Sequence, residues 1–251
     1  MSMRTGIATV ALLAAASAGT AHGEPLSAAD YSAGLGGDVM ILDRKLELSG
    51  NDTNRVDLDG SLAGIHGYFQ RGALFRIEGR ILTGSLDVES DDIDETEPAL
   101  FSEARATFGT SIRDGGRAYA GVALDSLRVN GSGDAGDLHL WSVYAPVGYA
   151  TAGDFARHWR AIARLEARYV VVGQDRIEDF DDGDDVDFNR RGGFGLAAAV
   201  TFRSKDAPIE IQPYLEVTEY SGSETETVEG VDFRTRDQRT AAGGVRVHWL
   251  F

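Results

Sequence analysis

Two residues near the middle of the sequence have the side chains of a hydrolytic dyad, His139 and Ser142. A histidine beside a serine can act as the general base that activates the hydroxyl as a nucleophile. Side chains alternate between the two faces of a strand, so residues an odd number of positions apart lie on opposite faces. A regular strand here therefore places His139 with Trp141 and Val143 and excludes a simple dyad. The sequence thus disfavours an enzyme, with an outer-rim hydrolase left as a minor alternative.

Clustered carboxylates in "DFDDGDDVDF", residues 179–188, suggest a second kind of chemistry. Hard cations such as Ca²⁺ take oxygen ligands, and this segment offers several around Gly183. It lacks the closing glutamate and the flanking helices of an EF-hand, so a solvated acidic loop is the favoured interpretation. We expect no cofactor, with divalent cations at acidic loops as the alternative. The chain contains no cysteine, which excludes disulfides and a thiolate metal site.

Arginines and glutamates form a third group, because they recur at alternate positions in several segments. In "ALFRIEGRILTG", for example, Arg76, Glu78 and Arg80 share one face. A buried charge without a partner costs several kcal/mol, so charges that share an interior must pair. The predicted network of charges consists of Arg76, Glu78, Arg80, Glu103, Arg105, Arg160, Arg164, Glu166, Arg168, Glu210, Glu216 and Arg246. Filling of an interior is the favoured role for it, and a selective conduit is the alternative.

The elements that carry these charges alternate between apolar and polar residues, as strands with two different faces do. The C-terminal segment shows this most clearly. One of its faces carries Ala241, Gly243, Val245, Val247, Trp249 and Phe251, and the other carries Gln238, Thr240, Arg246 and His248. Soluble chains seldom end on large apolar residues. The pattern is typical of a strand between lipid and a polar interior.

Ten strands can be placed along the chain, near 38–48, 55–68, 73–86, 99–111, 117–129, 138–150, 155–173, 188–202, 209–220 and 238–251. The connections between them alternate strictly between long and short. This alternation is typical of transmembrane barrels, which have long extracellular loops and short periplasmic turns. The sequence therefore predicts an all-β fold, a transmembrane antiparallel up-and-down β-barrel of ten strands, with eight or twelve as alternatives.

The segment 155–173 fits two kinds of secondary structure. As a helix, it has Asp154 at the N-cap position and arginines spaced three or four residues apart. As a strand, it turns His158, Arg160 and Arg164 inward. A helix would leave nine strands and break the alternation of loop lengths, so we predict a strand.

The remaining segments define the domain organisation. Residues 1–23 have one arginine, an apolar stretch and small residues at the end, as a secretory signal peptide does. Residues 24–251 are predicted to form the barrel. The predicted extracellular loops 87–98, 174–187 and 221–237 hold half of the 40 acidic residues, in a chain of net charge −16. Such an acidic chain is not expected to bind nucleic acid.

The predicted mature chain resembles the outer-membrane β-barrel proteins of Gram-negative bacteria over its whole length. The resemblance rests on the signal peptide, the alternating strands and the terminal "VRVHWLF". In that family a C-terminal aromatic residue, with apolar residues at alternate preceding positions, is associated with recognition by the barrel-assembly machinery. The positions that match are Val245, Val247, Trp249 and Phe251.

The resemblance implies a protein of the cell outer membrane, located there after cleavage of the signal peptide. We expect a structural or surface-interaction role with a lumen filled by paired charges. A narrow, cation-preferring, porin-like pore is the alternative. Expected partners are outer-membrane lipid and lipopolysaccharide, the latter bridged by divalent ions to the acidic loops, and we expect a monomer. No subfamily is identified by these motifs.

Overall fold

The structure is a computed structural model, and it describes residues 31–49, 53–90, 94–112, 116–131, 137–180, 184–228, 231–236 and 238–251. The predicted signal peptide lies outside these residues. None of the described residues forms a helix long and apolar enough to cross a membrane.

Thirteen β-strands make up the described part of the chain. They are β1 Tyr31–Ser49, β2 Thr53–Arg71, β3 Phe75–Glu89, β4 Asp94–Ser111, β5 Arg117–Val129, β6 Leu138–Ala156, β7 Trp159–Phe180, β8 Asp184–Arg190, β9 Gly193–Ser204, β10 Ile209–Tyr220, β11 Glu226–Val228, β12 Val231–Thr235 and β13 Gln238–Leu250.

Ten of these strands close into a barrel. β1 to β7 follow one another around the wall, β9, β10 and β13 complete it, and β1 pairs antiparallel with both β2 and β13. The short strands β8, β11 and β12 extend one end of the barrel. The prediction of an all-β, ten-stranded antiparallel barrel is confirmed. We call the end with the acidic segments the outer end, and the end with both Tyr31 and Phe251 the inner end.

The two faces of the wall differ as the alternation predicts. On β13, Val247 and Trp249 are exposed on the outside, whereas Arg246 and His248 are buried inside. The other barrel strands repeat this pattern, with apolar side chains outside and many charged ones in the lumen. An apolar exterior around a polar, filled interior is the arrangement of a transmembrane barrel.

The three acidic segments are strands over much of their length, where loops were predicted. β3 and β4 pair out to Glu89 and Asp94, and β7 continues to Phe180 opposite β8. The segment 221–237 contains β11 and β12. Acidic residues at these positions can point into water while alternate apolar residues pack inward, so the ladder continues despite the charge.

The strand interpretation of residues 155–173 holds, but its boundary was wrong. β6 continues to Ala156, and the turn to β7 lies at Arg157–His158, three residues beyond the predicted "TAGD" turn. His158 is therefore exposed in a turn, bonded to Asp206, and does not point into the lumen.

A β-bulge in β7 changes which residues point inward. Val172 pairs with Val143 while Val170 pairs with Tyr144, so Val171 is the extra residue. Val171 and Val172 are both exposed on the outer face. The bulge reverses the alternation beyond it, because one additional residue shifts the pleat by one position.

Some of the 31 glycines lie beside tyrosine rings on the inner wall. A Cβ on Gly34 would come within 2.7 Å of the Tyr68 ring, and one on Gly244 within 2.0 Å of the Val39 carbonyl oxygen and 2.8 Å of the Tyr214 hydroxyl. A Cβ on Gly148 would overlap the ring of Tyr119. These glycines leave room for aromatic side chains from neighbouring strands.

Replacing Gly148 by valine is expected to lower the free energy of unfolding by about 1–3 kcal/mol. The new side chain would displace Tyr119 and break its hydrogen bond to Glu166. Urea titration of the detergent-solubilised barrel measures the change. Gly37→Val is the control, because a Cβ there meets nothing closer than 3.9 Å. Equal stability of the two variants would contradict this account of the glycine positions.

Candidate functional site: the closed lumen

Arg80 is the centre of the charge network in the lumen. Its side chain is 1% exposed and lies 2.6 Å from Glu103, 2.7 Å from Glu216 and 3.7 Å from Asp38. These residues come from β3, β4, β10 and β1, so the guanidinium group joins opposite walls of the barrel. Several carboxylates around one buried cation satisfy its donors and occupy the axis.

Glu78 and Glu166 form a second centre next to Arg80. Glu78 lies 2.6 Å from Arg76, 3.2 Å from Arg105 and 3.6 Å from Arg164. Glu166 pairs with Arg105 and lies 3.0 Å from Arg168.

Arg168 joins the two centres. Its guanidinium group also lies 2.8 Å from Glu216, which belongs to the Arg80 cluster. The charges therefore form one continuous network across the lumen.

The structure places the remaining predicted members toward the inner end. Arg246 lies 3.1 Å from Asp38. Glu210 pairs with Arg203. Arg160 is opposite Asp154 and Arg203 in the strand register, at the inner end of β7. Arg160 and Glu210 are the predicted members that lie outside the central clusters described above.

Tyrosines are members of the network that the charge pattern did not identify. Tyr144 donates to Glu103 at 2.6 Å, Tyr119 to Glu166 at 2.9 Å and Tyr214 to Asp38 at 2.9 Å. Each supplies a donor to a carboxylate that is otherwise bonded by arginine. The alternation of side chains along the strands places these tyrosines and Asp38 on the inward face, so the sequence could have identified them.

Two buried histidines lie near the inner end. His66 Nδ1 and His248 Nε2 are 2.6 Å apart and share a hydrogen bond. Tyr68 donates to Glu210 at 2.6 Å beside them. This end of the lumen is therefore also occupied by bonded side chains.

The outer half of the lumen is closed by an apolar cluster. Met40, Leu58, Leu62, Leu82 and Leu86 are all fully buried there. A cavity of about 40 Å³ separates this apolar plug from the charge network. A second cavity of about 30 Å³ lies within the charge network, and both cavities are large enough to hold water.

A smaller polar cluster lies beside the apolar plug. Arg190 and Asp175 are 2.8 Å apart, and Arg44 donates to Gln238 at 3.0 Å. Gln238 in turn donates to Asp175 at 2.6 Å. The bulge in β7 turns Asp175 inward, which strict alternation from Arg168 would not have placed there.

The histidine and serine considered for hydrolysis are on opposite sides of the wall, as the parity argument predicts. His139 lies on the outer face and is 3.0 Å from Ser126, whereas Ser142 is buried and donates to Asp125. The described residues include no histidine in the outer half of the lumen. Nor do they include a group of three or more His, Cys, Asp and Glu side chains placed to hold a metal ion. Residues 181–183 of the acidic segment lie outside the description.

No protein-family model matches the sequence, and no curated protein does. Among solved structures, the fold is similar to the outer membrane protease OmpT from Escherichia coli, at 7% identity over 91% of this chain and 99% of that chain, with a TM-score of 0.51. The Pseudomonas putida toluene transporter TodX is 9% identical over 86% and 89% of the two chains, with a TM-score of 0.28.

Pseudomonas aeruginosa OccK2 also matches, at 9% identity over 86% of this chain and 97% of that chain, with a TM-score of 0.17. At these identities the likeness concerns the fold alone. The chain has the architecture of outer-membrane β-barrels, and no subfamily is identified.

Proposed function

We propose that this chain is a closed barrel of the outer membrane with a structural or surface-interaction role. The observation that carries the proposal is the filled lumen: Arg80 joins opposite walls, and the apolar plug lies above it. A barrel of about eight strands has an interior just wide enough for side chains, and water-filled porins have about sixteen. Ten strands are near the filled limit, so paired side chains can occupy the whole cross-section.

The proposal predicts no steady current through the unmodified protein in a planar lipid bilayer. Ions would have to replace buried ion pairs in the charge network and then cross the apolar plug, and both steps are costly. Single-channel recording of the purified barrel measures this. Stable, ohmic currents from the unmodified protein would overturn the closed lumen and favour the narrow, cation-preferring pore.

A series of variants tests whether the two barriers act in sequence. Replacing Arg164 and Arg168 by alanine leaves each glutamate partner with another cation, since Glu78 keeps Arg76, for example. We expect this double variant to fold and to remain closed, because the apolar plug is intact.

The complementary variant is Leu62→Ala with Leu86→Ala, which thins the plug and leaves the charges in place. We expect it to remain closed as well. Only the four changes together are expected to conduct, and to prefer cations because the glutamates remain. A current from either double variant would show that the barrier left intact in it does not close the lumen by itself.

The proposal includes a monomer that is inserted by the barrel-assembly machinery. The outer end of the barrel supports the surface-interaction part of the proposal. The acidic strands carry exposed carboxylates such as Asp87 and Glu89. Divalent ions bound to these groups would bridge them to phosphates of lipopolysaccharide. Chelation would then loosen that contact, and replacement of the carboxylates by amides would abolish the sensitivity to chelation.

A further inference from the structure

Four exposed arginines at the outer end, Arg128 and three neighbouring ones, have no ion-pair partner within the described part of the chain. Arg234, Arg236 and Arg239 are exposed, and we call them the arginine row. Two other arginines of this end do have partners, since Arg55 lies 2.6 Å from Asp57 and Arg176 pairs with Asp185. In a chain with a net charge of −16, adjacent unpaired cations are unexpected.

The strand register keeps the arginine row together. Arg239 is opposite Lys45, the Arg236 amide donates to the Glu47 carbonyl at 2.8 Å, and Arg234 is opposite Ser49. Positions 45, 47 and 49 are alternate residues of β1, which lie about 6.6 Å apart along a strand. The three arginines therefore follow the upper part of one strand.

Two open clefts flank the arginine row. One has a volume of about 440 Å³ and is lined by Arg234, Arg236, Ser223 and one carboxylate residue, Glu47, among others. The other has a volume of about 660 Å³ and contains Arg239 and the opposite residue Glu219, together with the exposed rings of Tyr169 and Phe194.

The second cleft leads from the charged rim to the apolar outer wall. Below Phe194 the outward face of β9 continues with Leu196, which is also exposed. At its upper edge β9 begins at Gly193, whose φ of 147° marks the break between β8 and β9. Aromatic residues at this level are typical of the membrane interface of barrels.

We propose that the arginine row and its two clefts bind the phosphorylated headgroup of an outer-leaflet lipid. Guanidinium groups bind phosphate oxygens through paired, charge-assisted hydrogen bonds. The wall at Tyr169 and Phe194 would contact the acyl chain. A cationic row directly above an apolar, aromatic surface fits an anionic amphiphile better than it fits a free anion. The inference rests on the membrane placement in the proposed function.

The test compares two triple variants of the detergent-solubilised full chain. The first variant replaces Arg234, Arg236 and Arg239 by glutamine. The control variant replaces Arg55, Arg176 and Arg191 by glutamine, and these three arginines all have carboxylate partners. Both sets change the net charge by the same amount. Native mass spectrometry measures binding of bisphosphorylated lipid A, with dephosphorylated lipid A and inorganic phosphate as comparison probes.

We expect the first variant to bind bisphosphorylated lipid A at least about tenfold more weakly, since hydrogen bonds to charged groups are the stronger class. The control variant should bind like the unmodified protein. An equal loss in both variants, equal binding of the dephosphorylated lipid, or displacement by inorganic phosphate at the lipid's own concentration would overturn the proposal. The proposed function is tested separately, by fractionation of the barrel with the outer membrane and by the absence of a current in a bilayer. If the protein passes those two tests and lipid A binding fails, only the inference about the arginine row is wrong.

Discussion

Replacing Arg80 by methionine is expected to lower the free energy of unfolding by about 3–5 kcal/mol, because breaking a buried ion pair leaves an uncompensated charge. Methionine keeps much of the volume but removes the cation shared by Glu103, Glu216 and Asp38. These carboxylates would remain in the lumen with fewer partners. Urea titration of the barrel in detergent, followed by heat-modifiable gel mobility, measures the loss.

Two comparisons show whether the loss comes from the unpaired charges. Arg55→Met removes an exposed arginine that is bonded to Asp57, and exposed pairs contribute about 1 kcal/mol or less. Adding Glu103→Gln and Glu216→Gln to the Arg80→Met variant should restore part of the stability, because the stranded carboxylates become neutral. If Arg80→Met is as stable as the unmodified protein, Arg80 is not the centre of the network.

Deleting Phe251 is expected to reduce the amount of folded barrel in the outer membrane several-fold. The Phe251 side chain is 78% exposed, and its amide donates to the Ala33 carbonyl at 3.1 Å. One hydrogen bond contributes only about 1 kcal/mol to stability, so the folded barrel should lose little. The expected defect lies in assembly, where the resemblance assigns a role to Val245, Val247, Trp249 and Phe251.

The measurement is the amount of heat-modifiable, folded protein in outer-membrane fractions. Phe108→Ala is the control, because Phe108 is 64% exposed on the outer wall near the inner end. Its removal should leave assembly unchanged. The deletion variant, purified and refolded in detergent, should unfold at nearly the same urea concentration as the unmodified chain. Normal levels of folded protein after deletion would refute the role in assembly.

The sequence by itself determined the architecture, because burial in a two-sided strand repeats every second residue. Alternation in β13 predicted that Val247 and Trp249 face outward and that Arg246 and His248 face inward, as observed. The alternating lengths of the connections predicted ten strands, which is the number that closes the barrel. These features depend on local alternation and on the lengths of the connections, so a single sequence is enough to predict them.

Only the tertiary structure decided where strands end and where the alternation breaks. The turn at Arg157–His158 and the bulge at Val171 depend on hydrogen bonds to neighbouring strands. No local pattern of residues fixes that register. The strands extend into acidic segments for the same reason, because partners across the ladder stabilise them despite their charge.

The partners within the lumen were also decided by the tertiary structure. The sequence predicted that Arg80 faces inward. Its bond to Glu103 is to the directly opposite residue on the neighbouring strand β4, but its bond to Glu216 depends on closure of the barrel, which brings β3 and β10 together across the axis. Asp175 faces inward only because the bulge shifts the pleat. A period of two predicts the face on which a side chain lies, whereas its partner across the barrel depends on strand stagger, which is a property of the closed sheet.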